Sequence, residues 1–148
     1  MRKIRERGVA EGEELDPAAV VERLIELKYV DDEAYAMSKA GGLLRKGYGA
    51  RRVEQALRAD GIDEGLRGDL TPSEVETRRA VILLARKRRF GPFGDALPDG
   101  LEGHKKREKQ IAAIVRAGHG FDAARTVVEA NSEEELDEWL IDAQEAER

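Results

Sequence analysis

The chain is organised around one short stretch, Leu43-Leu44-Arg45-Lys46-Gly47-Tyr48-Gly49-Ala50-Arg51-Arg52-Val53-Glu54-Gln55-Ala56-Leu57. It predicts a helix, a tight turn and a second, basic helix. The two glycines permit the backbone angles that close a turn. Beyond the turn, apolar residues recur at helical spacing and polar ones fall between them. We expect one face to pack, through Val53, Ala56 and Leu57, and the other to stay in solvent, with Arg51, Arg52, Glu54 and Gln55.

The same pattern returns at an offset of 71 residues, the distance from Gly47 to Gly118. The segment Arg116-Ala117-Gly118-His119-Gly120-Phe121-Asp122 aligns without a gap with the segment that begins at Arg45, and the apolar positions that follow also match. A weaker third copy begins at Arg7-Gly8 and continues, after an insertion, with Val20, Val21 and Leu24. Related helical units in tandem bury faces that no single unit buries alone, so the repeat predicts a helical array.

Composition favours helices. Of the 148 residues 41% are hydrophobic, 39% are charged and only 5% are aromatic. Ala, Leu, Glu and Arg are frequent, and these residues have high helix propensity. We therefore expect an all-α protein. The absence of cysteine excludes a disulfide framework and a thiolate metal site. No run approaches the roughly 18 apolar residues of a membrane span, so we expect a cytoplasmic protein with no membrane contact.

The local signals predict the helix boundaries. Met1 to Arg7 has the pattern of the end of a basic helix, and Asp16-Pro17 predicts the start of the next, which ends near Lys28 to Val30. Asp31 is the expected N-cap of another helix that runs to Lys46, and Gly41-Gly42 within it predicts close packing or a kink. A short helix is predicted over 62–70, and the next helix is opened by Thr71, Pro72 and Glu74 as a capping box. A loop is predicted over 90–103. Helices are then predicted to begin at His104, at Phe121 and at the capping box Ser132 to Glu135.

These elements predict three domains: residues 1–40 as a first, N-terminally truncated repeat, 41–74 as the middle repeat, and 75–148 as the third. The third contains the internal loop 90–103 and an acidic C-terminal helix. Net charge is −3 over residues 1–40, +6 over 41–125 and −8 over 126–148. A basic middle is compatible with a nucleic-acid or acidic-protein contact, and equally with solvated helix faces.

The candidate partner-binding residues are the cations of this basic middle. They surround the first glycine turn or flank the predicted loop, and cations of this kind pair with phosphates or with the carboxylates of a protein. The candidates are Arg45, Lys46, Arg51, Arg52, Arg58, Arg86, Lys87, Arg88, Arg89, Lys105, Lys106 and Arg107.

No catalytic constellation stands out. His104 begins a basic run and His119 sits in a turn, so surface or turn roles fit both histidines better than base catalysis or metal ligation. Asp31-Asp32-Glu33 is explained by helix capping without a metal. Neither a phosphate-binding loop that ends in Lys-Ser/Thr nor a Gly-x-Ser-x-Gly motif is present. We expect a binding protein that is not an enzyme and uses no cofactor or metal.

Two blocks of the sequence resemble the RecX family of bacterial RecA regulators. The first runs from Val21 through Leu24, Tyr29 and Asp31-Asp32 to Ala36, and the second from Leu44 through Gly47-Tyr48-Gly49 to Ile62. The segment from Arg116 to Asp122, with Val127 and Val128, is similar to the family's C-terminal unit. The resemblance covers most of residues 16 to 130.

The resemblance implies three tandem three-helix units that form an elongated, curved molecule. It implies a monomer that binds in the groove of the RecA–DNA filament, with single-stranded DNA enclosed, and restrains strand exchange and ATP hydrolysis. A second interpretation stays open, because Gly47-Tyr48-Gly49 and Gly118-His119-Gly120 also look like the turns of helix-hairpin-helix modules, whose backbone amides hold a DNA phosphate. That interpretation predicts a stand-alone DNA-binding protein.

Overall fold

The computed structural model describes residues 16–148, and within them it contains helices and no strand. The prediction of an all-α fold is confirmed. The helices, in chain order, are α1 (Pro17–Arg45), α2 (Ala50–Ala59), α3 (Glu64–Asp69), α4 (Glu74–Arg88), a short 3₁₀ helix (Gly91–Phe93), α5 (Leu101–Arg116), α6 (Phe121–Glu129) and α7 (Glu133–Ala146). The helix predicted over Met1 to Arg7 lies outside the described residues.

Helix α1 is continuous where the sequence predicted two helices. Asp31 lies inside it and is not an N-cap, so that prediction is wrong. No proline or glycine interrupts the chain between Lys28 and Asp32, and the Lys28 Nζ lies 3.6 Å from an Asp32 carboxylate oxygen one helical turn away. Such a pair supports a helix that continues through the acidic residues.

The described chain divides into two compact units after Tyr35. In the first unit, the large apolar side chains of α1 are exposed. The exposed fractions are 36% for Val20, 54% for Val21, 60% for Leu24, 64% for Ile25 and 48% for Leu27. The second unit, residues 36–148, contains the rest of the molecule and both glycine turns.

Of the two alternatives predicted for Gly41-Gly42, close packing or a kink, close packing is not observed. A Cβ placed on Gly41 would meet only the end of the flexible Arg45 side chain, at 3.0 Å. A Cβ on Gly42 would meet nothing nearer than 3.9 Å. Gly41 instead borders an open cavity.

The internal repeat is present in the structure with the same element boundaries. Helix α1 ends at Arg45 and α5 ends at Arg116, while α2 begins at Ala50 and α6 begins at Phe121. Both pairs are separated by the 71 residues seen in the sequence. The two turns between these helices also have the same conformation at their first glycine, with φ of 96° at Gly47 and 102° at Gly118.

Residues 36–148 bury two apolar clusters. The smaller joins the C-terminal part of α1 to α2 and α3 and contains Ala36, Ala40, Val53, Leu57, Ile62 and Leu66. The larger joins α4 to α5, α6 and α7 through Val81, Ile82, Leu84, Ala85, Ile111, Ile114, Ala117, Ala124, Val127, Val128 and Leu136. Tyr48, from the first glycine turn, packs against the larger cluster and so links the two repeats.

Two predicted helix starts are displaced. Helix α4 is capped by Ser73, whose hydroxyl accepts from the Glu76 N–H while the Glu76 side chain accepts from the Ser73 N–H. The capping box therefore begins two residues after the predicted Thr71. Helix α5 begins at Leu101, three residues before His104, so the loop is shorter than predicted and contains the 3₁₀ turn.

The predicted cap of α7 is confirmed at Ser132, whose hydroxyl accepts from the Glu135 N–H. The Glu135 side chain bonds Asn131 and not Ser132, so the second half of the capping box is absent. Trp139 of α7 is half-buried, with the Arg78 guanidinium 4.6 Å from its ring centroid.

Candidate interaction surface

The two glycine turns contact each other directly. The Gly49 N–H donates to the Ala117 carbonyl at 2.9 Å, and the Arg51 N–H donates to the Gly118 carbonyl at 3.1 Å. These bonds connect the N-terminus of α2, in the middle repeat, to the turn that precedes α6 in the third. We call this contact the turn junction.

Two glycines of the turn junction leave no room for a side chain. A Cβ on Gly49 would lie 2.5 Å from the Gly118 carbonyl oxygen. A Cβ on Gly118 would lie 2.6 Å from the backbone nitrogen of Arg52. The φ of 102° at Gly118 also disfavours any residue other than glycine there. The junction therefore depends on close backbone approach, which only glycine permits.

His119 is buried in this junction, with 1% of its surface exposed. Its Nε2 lies 2.8 Å from the Gly47 carbonyl oxygen. Because a carbonyl only accepts, Nε2 carries the hydrogen and Nδ1 does not. The Nδ1 atom is also buried, and it has no hydrogen-bond partner among the described residues. Burial lowers the pKa of His119 below 6.5, against the smaller opposite effect of the bond to Gly47.

The backbone amides of the first glycine turn all bond within the chain. The Gly47 N–H donates to Leu44, the Tyr48 N–H to Leu43 and the Gly49 N–H to Ala117, at 2.9 to 3.0 Å. A DNA phosphate would need these same amides. The bonds of these three amides therefore disfavour the phosphate-binding role of a helix-hairpin-helix for this turn.

Exposed cations gather beside the turn junction. The Arg52 guanidinium lies 4.6 Å from the centroid of the Tyr48 ring. Gly47 packs against Leu84 of α4, and this contact brings Lys87 to within 3.5 Å of the Lys46 carbonyl oxygen. We define the basic turn patch as Lys46, Tyr48, Arg52 and Lys87. Within residues 16–148, no carboxylate oxygen lies within 4.0 Å of its three cations.

Two other predicted cations line a separate groove. Arg51 and Arg58 of α2 face it together with Arg67 of α3. The Arg58 guanidinium is 3.1 Å from Glu54, a residue one helical turn earlier. Arg45 borders a different cavity, beside Arg79 of α4.

The remaining predicted cations are dispersed around the loop that follows α4. Arg86 lies over the Phe93 ring, and Arg89 lies 4.0 Å from Asp95. Lys106 pairs with Glu102 at 3.6 Å, and Arg107 lines a cavity with loop residues. Arg88 and Lys105 are exposed. Of the predicted cations, Lys46, Arg52 and Lys87 lie beside the first glycine turn and, among residues 16–148, have no carboxylate oxygen within 4.0 Å.

Sequence reasoning missed three parts of this surface: the stacking role of Tyr48, the burial of His119 and the contact of Gly47 with Leu84. The signal that could have indicated the first two was the repeat itself. Tyr48 and His119 occupy equivalent positions in two repeats, and equivalent turns of neighbouring repeats often meet.

The described part of the chain offers no evident metal site, since no cluster of three or more His, Cys, Asp or Glu side chains is placed to hold an ion there. None of the helices in residues 16–148 combines the length and hydropathy that a membrane span requires.

Comparison with known proteins identifies the family. A family model described as RecX, second three-helix domain, matches residues 31–68. The regulatory protein RecX of Myxococcus xanthus is 34% identical over 134 residues, which cover 88% of this chain and 70% of the relative. This chain belongs to the RecX family. The RecX of Agrobacterium fabrum is 32% identical over 152 residues, covering 97% of this chain and 76% of the relative.

A third RecX protein, from Serratia proteamaculans, is 35% identical over 91 residues, which cover 58% of this chain and 51% of the relative. No solved structure matches the chain significantly. The matched domain, residues 31–68, contains the first glycine turn and α2 in full. The RecX domain therefore includes three of the four residues of the basic turn patch.

Proposed function

We propose that this RecX family member binds the filament that the RecA recombinase forms on DNA, and that it restrains ATP hydrolysis and strand exchange there. It would act in the cytoplasm as a monomeric regulator in DNA repair and recombination, without catalytic activity or a cofactor. Single-stranded DNA inside the filament would be a secondary contact.

The basic turn patch is the observation that carries the proposal. Its three cations lack carboxylate partners among the described residues, so they are available to acidic groups of another molecule. The patch lies beside backbone contacts that fix α2 against the third repeat. A rigid basic surface of this kind suits a protein partner, because little ordering is needed on binding.

The arrangement supports a protein partner over DNA alone. The Gly47, Tyr48 and Gly49 amides of the first glycine turn already bond within the chain, which disfavours a phosphate contact there. The net charge of −5 also disfavours strong, non-specific binding to a polyanion.

The proposal is tested by the ATPase activity of RecA on single-stranded DNA, titrated with this protein. We expect the rate to fall with added protein. In parallel, binding of the protein to the same oligonucleotide without RecA should be weak. An unchanged ATPase rate at saturating protein would contradict the proposal, and tight, salt-dependent binding to DNA alone would favour the DNA-binding interpretation.

A further inference from the structure

A groove of about 470 Å³ runs along α2 in the middle repeat. Most of its α2 side is a helical stripe of residues spaced three and four apart, with Arg51 and Gln55 beside it. From Ala50 to Arg58 this stripe is about 12 Å long at the helical rise per residue. The stripe is formed by Ala50, Val53, Glu54, Leu57 and Arg58, and the opposite side by Arg67, Leu70 and Thr71.

The floor of the groove is apolar. Val53 and Leu57 are 2% and 1% exposed, and they belong to the core of the middle repeat. Leu70 packs against the same core and is partly exposed beside the groove. Aliphatic side chains of a bound helix would therefore meet a surface that the core already supports.

The rim of the groove is positively charged. Arg67 is held by Glu54 at 3.0 Å and by the Ile62 carbonyl at 2.6 Å. Glu54 also pairs with Arg58, so Arg58 and Arg67 together neutralise the charge of its carboxylate. Arg51 has no carboxylate oxygen within 4.0 Å among residues 16–148, and the Arg58 side chain is 70% exposed. Three guanidinium groups thus face one carboxylate.

We propose that this groove binds an acidic amphipathic helix of a partner protein, about two turns long. Two aliphatic residues four positions apart would pack on Leu70 and on the groove floor above Val53 and Leu57, while carboxylates would pair with Arg51 and Arg58. The inference rests on the proposed function, because it assigns the groove to an acidic segment of the same protein partner that the basic turn patch contacts.

A second copy of this chain fits the groove less well than the proposed acidic helix. Helix α7 is acidic, but Ile141 is its only large apolar side chain in the exposed class, since Leu140 and Trp139 pack on its own core. The proposed occupant places two aliphatic residues on the groove floor. Self-association through α7 is therefore an outcome that would contradict the inference.

The inference is tested with a fluorescent peptide that has two leucines four positions apart, glutamate at most other positions and a lactam bridge that holds it helical. Anisotropy measures its affinity for the full chain, and amide NMR shifts locate the site. We expect shifts at Val53, Leu57 and Leu70. Arg51→Glu and Arg58→Glu should each weaken binding about tenfold, which corresponds to about 1.4 kcal/mol.

Arg125→Glu is the matched control, because Arg125 is also an exposed helical cation that pairs with a glutamate one turn away. It should leave the affinity unchanged. The inference is overturned if the peptide does not bind, if a lysine version binds equally well, if the shifts lie elsewhere, or if the chain dimerises through α7. Since this experiment contains no RecA, a negative result would not contradict the proposal that the chain inhibits the RecA ATPase. Peptide binding without an effect on RecA would contradict only the identity of the partner.

Discussion

His119 contributes to the turn junction as a neutral imidazole. Nε2–H donates to Gly47, while burial makes the charged form unfavourable and lowers the pKa of His119. The unfolded chain, with a histidine pKa near 6.5, then binds a proton that the folded chain rejects. The contribution of neutral His119 to the free energy of unfolding is therefore complete above about pH 6.5 and decreases as the pH falls below that value.

The free energy of unfolding should decrease more steeply between pH 7.5 and 5.5 in the wild type than in His119→Gln. The glutamine amide can donate to the Gly47 carbonyl but does not titrate. The excess slope is at most about 1.4 kcal/mol per pH unit, from one proton. Urea unfolding followed by circular dichroism measures it, with His104→Gln at an exposed position as the control. Parallel curves for the wild type and His119→Gln would refute this role.

The position of His119 in a turn was predictable, since glycines flank it on both sides. Its burial was not evident from the local sequence, which indicated only a turn role. The atom that His119 contacts belongs to Gly47, 72 residues away, and no local pattern reports a contact at that distance. The contact between Gly47 and Leu84 was missed for the same reason, because these residues are also distant in the sequence.

At the level of elements, two equivalent glycines have different surroundings. Gly49 caps α2 and Gly120 caps α6, each in an extended conformation without a side-chain cap. A Cβ on Gly49 would overlap the turn junction, whereas a Cβ on Gly120 would meet nothing within 4 Å. The pair therefore separates the effect of the junction from the effect of the cap.

Gly49→Ala should lower the free energy of unfolding by about 3 kcal/mol. The new methyl group would overpack the turn junction and break the hydrogen bond from the residue 49 N–H to the Ala117 carbonyl, and alanine is also a weaker N-cap for α2. Gly120→Ala loses only the cap and should cost less than about 1 kcal/mol. Thermal or urea unfolding of both variants measures the difference. Equal losses would show that the turns do not pack as closely as described.

Helix ends at glycine turns were predicted well, because glycine marks them locally. The ends of α1 and α5 and the starts of α2 and α6 follow the repeat. Boundaries set by polar caps were predicted less well. Asp31 and Thr71 both match the pattern of an N-cap residue. In the structure, Asp31 lies inside the continuous helix α1, and Ser73 caps α4 in place of Thr71. Several residues near a boundary can cap a helix, and packing of the helix selects among them.

For the whole molecule, the composition predicted the all-α fold, and the resemblance predicted membership of the RecX family. The predicted domain boundaries at residues 40 and 74 stay predictions. The sequence could not divide the cations into groups, because their grouping depends on how α4 meets the first glycine turn. Lys46 and Lys87 are 41 residues apart in sequence and meet only through that contact.

The most direct test of the proposed regulation is the concentration of protein that halves the RecA ATPase rate on single-stranded DNA. The double variant Arg52→Glu/Lys87→Glu reverses two charges of the basic turn patch, and Arg125→Glu is the folded control outside it. We expect the double variant to require at least about tenfold more protein, a loss of about 1.4 kcal/mol in binding, while the control matches the wild type. Equal inhibition by the double variant and the wild type, with folding confirmed by circular dichroism, would contradict the account.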